Sequence, residues 1–94
     1  MKAIYEFGWD CGRQGHVEGL FIAEKSEVEE AIGSSIYFGE ILGKHSEVYG
    51  TLDEDDLVIK TEDQDFICKF EELMGLTDTI SGYNPLHYIE DSEE

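Results

Sequence analysis

Ala3-Ile4-Tyr5-Glu6-Phe7-Gly8-Trp9 alternates along its whole length, with Ala3, Tyr5, Phe7 and Trp9 on one side and Ile4, Glu6 and Gly8 on the other. A period of two is the mark of a strand, and here one face of that strand is aromatic. A small sheet needs one fully apolar face, so Tyr5, Phe7 and Trp9 are read as core. Asp10-Cys11-Gly12-Arg13-Gln14-Gly15 has the composition of a turn. The alternation then resumes through Val17, Gly19, Phe21 and Ala23, opposed by Leu20 and Ile22. These two strands are expected to form a hairpin.

Working outward, Ser26 with Glu29 matches a capping box, which predicts a short helix ending at Gly33. Val28, Ala31 and Ile32 share its inner face, and Glu27, Glu29 and Glu30 face water. Residues 35–42 and 45–52 read as a third and a fourth strand around a Gly43-Lys44 turn. Asp53-Glu54-Asp55-Asp56 cannot bury its charge and reads as a solvated turn, followed by a fifth strand from Leu57 to Thr61.

Thr61 with Gln64 suggests a second capping box, and Phe66, Ile67, Phe70, Leu73 and Met74 recur at helical spacing up to Gly75. That apolar stripe is expected across the sheet, with Glu62, Asp63, Asp65, Glu71 and Glu72 on or near the outer face. Residues 77–89 contain Gly82 and Pro85 and read as irregular. Their Ile80, Tyr83, Leu86, Tyr88 and Ile89 are nonetheless too apolar for a free tail, so the segment packs back on the domain or binds a partner. The expectation is an α+β fold, a mostly antiparallel sheet of about five strands with two helices in the order ββαβββα. It forms one domain over residues 1–89 with a flexible acidic tail at 90–94.

A chain of 94 residues fits one core, and 40% hydrophobic residues are enough to fill it despite the charge. Against 23 Asp and Glu stand six Lys and Arg, for a formal net charge of −17. Such a field repels nucleic acid and anionic membranes and attracts basic surfaces. No apolar run reaches the roughly 18 residues of a membrane span, and the amino terminus lacks a signal-peptide pattern, so a cytoplasmic location is expected. Cys11 and Cys68 form no CxxC motif and read as free thiols.

Chemical motifs are sparse. Gly8, Gly12 and Gly15 match neither GxGxxG nor GxxxxGK[ST], which leaves a hairpin turn. Cys11, His16, His45, Cys68 and His87 have no spacing that requires a zinc site or a thiol nucleophile. The 53–56 acids lack the glycine and the terminal Glu of an EF-hand, since Val58 and Gln64 stand in those places. No enzyme activity, cofactor or metal is expected. The acids recur in the first helix, the 53–56 turn, the second helix and the C terminus, spread as phosphates are along duplex DNA.

The stretch from Tyr37 to Gly50 (Tyr-Phe-Gly-Glu-Ile-Leu-Gly-Lys-His-Ser-Glu-Val-Tyr-Gly), with Ser81-Gly82-Tyr83-Asn84-Pro85-Leu86, resembles small proteins of bacteriophages and mobile elements. In size and charge the chain is similar to phage-encoded DNA mimics, including anti-restriction and some anti-CRISPR proteins. The resemblance implies an inhibitor of a host-defence protein, acting in the host cytoplasm on a basic protein and not on nucleic acid directly. By charge, the expected partner-binding residues are Asp53, Glu54, Asp55, Asp56, Glu62, Asp63, Asp65, Glu71 and Glu72. Tyr83 and Tyr88 belong to the alternative, a small adaptor that binds a partner protein through its aromatic C-terminal segment.

Overall fold

The computed structural model describes residues 1–12, 15–41, 47–75 and 78–90. The expected Gly43-Lys44 turn, His45 and the acidic residues at 91–94 lie outside that set. The fold is α+β, and its centre is the anticipated hairpin of β1 (Lys2–Asp10) and β2 (His16–Glu24), paired from Lys2↔Glu24 to Asp10↔His16. Then come α1 (Lys25–Ala31), β3 (Ser35–Gly39), β4 (Val48–Thr51), β5 (Leu57–Thr61), α2 (Gln64–Met74) and β6 (Thr79–Gly82). Short 3₁₀ turns occupy Glu54–Asp56 and Pro85–Tyr88.

Two sheets replace the single one expected. Four antiparallel strands run in the order β5-β1-β2-β6, and β3 pairs only with β4. The hairpin of β3 and β4 instead lies over the aromatic face of the larger sheet, where Ile36, Phe38 and Val48 join Ala3, Tyr5, Phe7 and Phe21 in one buried cluster. Phe38 is its hub, with ring centroids 5.9 Å from Phe7, 5.5 Å from Trp9, 5.7 Å from Tyr83 and 4.7 Å from Tyr88. Val28 and Ala31 of α1 close the same layer. On the opposite face α2 covers a smaller cluster, Ile4, Ile22 and Ile67 with Leu20, Phe70 and Ile80 beside them.

The first helix starts earlier than Ser26 predicts. β2 runs straight into it, Glu24 is the N-cap, and the Glu24 N–H donates to Glu27 Oε1 at 3.3 Å, so Glu27 takes the place assigned to Glu29. At α2 the cap is Asp63, whose Oδ1 accepts from the amides of Asp65 and Phe66, while Thr61 Oγ1 accepts from the Asp63 N–H. Gln64 does a different job from the one its spacing suggested. Its amide bonds both the N–H and the carbonyl of Lys2, which ties the start of the helix to β1.

The sixth strand, β6, is the largest departure from the sequence reading. Thr79–Gly82 pairs with β2, Asn84 caps the following turn, Ile89 bridges to Ile36, and the Glu90 N–H donates to the Ser35 carbonyl at 2.7 Å. Residues 79–90 therefore strap the larger sheet to the β3–β4 hairpin, and the tail expected from residue 90 is anchored at its first residue. The strap fits only because Gly19 faces Gly82. A Cβ on Gly19 would stand 1.9 Å from the Tyr83 carbonyl oxygen, and one on Gly82 would stand 2.3 Å from the Glu18 oxygen at a φ of +67°. Gly19→Ala is expected to cost about 1–3 kcal/mol by forcing β6 away from β2, read as a lower denaturant midpoint. An unchanged midpoint would mean that β6 is not docked there.

An acidic surface around the β5 edge

Among the sequence-predicted residues the structure separates acids that build the fold from acids left on its surface. Asp56 belongs to the first group. It is half-buried, and its Oδ2 accepts from the Trp9 Nε1–H at 2.7 Å and from the Asp53 N–H at 2.9 Å. The 53–56 run is thus not wholly a solvated turn, because one of its acids locks the rim of the aromatic core. Asp56→Ala leaves two donors without an acceptor and is expected to cost about 1–3 kcal/mol, with Trp9 emission shifted to the red. Asp56→Asn keeps an acceptor oxygen and should cost less in the same denaturation curve.

Asp53 accepts from the Asp55 N–H and Asp63 caps α2, so both are occupied by backbone. Glu71 is half-buried and paired with Lys2 at 3.1 Å, and Glu62 holds Lys25 at 3.0 Å. The Glu62 contact raises the Lys25 ammonium above its ordinary value of 10.5. Glu54, Asp55, Asp65 and Glu72 are exposed, and their carboxylates accept no hydrogen bond among the described residues. Tyr83 and Tyr88 are half-buried, with their rings packed on Phe38 and on each other.

The tertiary structure gathers acids that are distant in sequence. Between α1 and β5 runs a groove of about 340 Å³, floored by Val28, Leu57 and Ile59 and rimmed by Glu29, Glu54 and Asp55, with Lys25, the partner of Glu62, as the one cation along it. Glu29 was read as a capping-box partner and a solvated helix residue, and nothing in the sequence places α1 beside the 53–56 turn. The cations are largely consumed: Lys2, Lys25 and Lys60 pair with Glu71, Glu62 and Glu6, which leaves Lys69 as the described lysine outside any ion pair. β5 is an edge strand whose pairing with β1 skips a residue at Lys60, an irregularity that discourages a further strand from adding there.

Two apolar surfaces accompany the acids. The α2 stripe covers the sheet only through Ile67 and part of Phe70; Phe66, Leu73 and Met74 are 51%, 84% and 58% exposed, contrary to the expected packing. On the outside of the hairpin Tyr37 and Tyr49 stand opposite each other and are exposed. The charge of Glu47, with burial second, raises the Tyr37 phenol above its ordinary value of 10.0.

Cys11 is half-buried and Cys68 lies exposed on α2. His16 contacts Glu18 at 3.2 Å, and His87 contacts Asp78 at 2.7 Å. Among the described residues no three His, Cys, Asp or Glu side chains gather as a metal site would require. No helix among them is long and apolar enough to cross a membrane.

Two carboxylates are held below their ordinary values by contacts of the fold. The Thr79 N–H, ahead of His87, holds Asp78 below its ordinary 3.8, and the Met1 ammonium holds Glu24 below its ordinary 4.5. Both folded values are depressed, so their contribution is present above the unfolded values and lost as pH falls through the folded ones. At low salt the melting-temperature profile below about pH 4 should therefore carry a loss from these two contacts, set against the relief of self-repulsion as the other acids protonate. Asp78→Asn should flatten that part of the profile, and an unaltered profile would exclude this contact as a source of the loss.

No family model matches the chain, and neither a curated protein nor a solved structure matches it. What fold and surface define together is a small, strongly acidic α+β domain in which three of the four described lysines pair with acids of the same chain.

Proposed function

We propose that this chain is a non-enzymatic acidic binding protein that occupies a basic, nucleic-acid-binding surface of another protein and blocks it, in the manner of phage-encoded anti-restriction or anti-CRISPR inhibitors. The observation that carries the reading is the internal pairing of Lys2, Lys25 and Lys60, beside exposed acids on α1, the 53–56 turn and α2. A domain selected only for solubility has no need of a formal charge of −17, which costs stability by self-repulsion. The acids supply steering and long-range attraction, and exposed Phe66, Leu73 and Met74 supply area for desolvated contact.

The test is capture of partners from host lysate on the tagged chain, washed across a salt series and challenged with duplex DNA. A nucleic-acid-binding protein released by salt and displaced by DNA is the expected result. A salt-resistant partner with no nucleic-acid function would overturn the reading.

A further inference from the structure

The β3–β4 hairpin has one side that the core uses and one that it does not. Ile36, Phe38 and Val48 point inward and fill the aromatic layer. Tyr37 and Tyr49 lie on the other side, directly opposite each other in the register, with rings stacked at 6.4 Å and 26°. They are 42% and 68% exposed, so most of the Tyr49 ring is open to water. Glu47 and Glu90 line the same shallow groove, of about 490 Å³, and the Glu90 backbone is fixed by its bond to Ser35.

This combination fits one kind of group. A cation over the face of a tyrosine is attracted by the ring quadrupole, and carboxylates beside the ring strengthen its hold. A guanidinium suits the site better than an ammonium: it is planar, weakly hydrated, stacks on aromatic faces and offers several N–H groups to carboxylates at once. A second copy of this chain is disfavoured, since pairing the same faces would bring Glu47 and Glu90 of both copies together. A nucleobase would stack, but its phosphate would meet the same carboxylates.

We propose that the Tyr37–Tyr49 pair is a docking site for an arginine side chain of a basic partner protein, which stacks on Tyr49 and is held by Glu47 and Glu90. The proposal rests on the reading of the chain as a binder of basic proteins and adds to it a preference between arginine and lysine that charge alone does not provide.

The test uses the full chain, labelled for NMR, titrated with a Gly/Ser-spaced peptide carrying four arginines and with its four-lysine counterpart of equal charge. The arginine peptide is expected to bind roughly five- to tenfold more tightly, with the largest shifts at Tyr37, Glu47 and Tyr49. Tyr49→Leu should leave the melting temperature near that of the parent, because the ring is outside the core, and should abolish the preference. Tyr49→Trp should retain or strengthen it. Equal binding of the two peptides, with shifts around Glu29, Glu54 and Asp55, would overturn the arginine site and leave the broader acidic reading standing. Binding of neither peptide at low salt would overturn both. Salt-strengthened self-association through Tyr49, or tighter binding of a single-stranded oligonucleotide than of the arginine peptide, would likewise overturn it.

Discussion

A chain that ends at Ile80 is expected to show no cooperative unfolding transition. The cut removes half of β6, fully buried Pro85, buried Asn84, and the rings of Tyr83 and Tyr88 that pack on Phe38. It also removes the bridge between Ile36 and Ile89. Burying one large apolar side chain contributes about 1.5–3 kcal/mol. Losing several therefore approaches the whole stability of a small domain, about 5–15 kcal/mol. Calorimetry and near-ultraviolet circular dichroism of the truncated chain would check this. A sharp transition at the parent's midpoint would show that residues 81–94 lie outside the cooperative unit, as the adaptor reading requires. On the present geometry that reading has to recruit aromatic rings which the core already holds.

Reversing Glu29, Glu54 and Asp55 together to lysine is expected to weaken binding to a captured basic partner about a hundredfold at low salt, with far less effect at high salt. Each reversal replaces an attraction by a like-charge contact, and three together cost several kcal/mol where charges meet at an interface. Salt screens the part of the attraction that acts beyond about 10 Å, so the loss should shrink as salt rises. These three acids line one groove and make no ion pair among the described residues, so the fold should survive the change. Reversing Asp56 instead would confound binding with the loss of the Trp9 contact. Salt-independent affinity that ignores the triple reversal would remove the groove from the interface.

The hairpin of β1 and β2 was legible in the sequence because its period of two extends over both strands and the aromatic face has one reasonable use. Both helices were legible too, although their caps were misread by two residues each. Ser26 and Thr61 match cap patterns, but Glu24 and Asp63 sit where the preceding strands turn into the helices. β6 was not legible. It has four residues, no alternation, and glycine and proline close by, and its place depends on Gly19 some sixty residues earlier.

The same division holds for the surface. Charge, composition and local period are properties of the sequence alone, so the acidity, the α+β class and the inward aromatic face follow from it directly. Which acids are structural and which are exposed was decided by tertiary contacts. Asp56 turned to Trp9, Glu71 and Glu62 were taken by lysines from β1 and α1, and Glu29 was brought to Glu54 and Asp55. Pairing needs two groups within a few ångströms, and no periodicity in one segment encodes the distance to another. For the same reason the helical spacing of Phe66, Leu73 and Met74 located a stripe, while only the crossing of α2 over the sheet determined that Ile67 is buried and Leu73 lies in water.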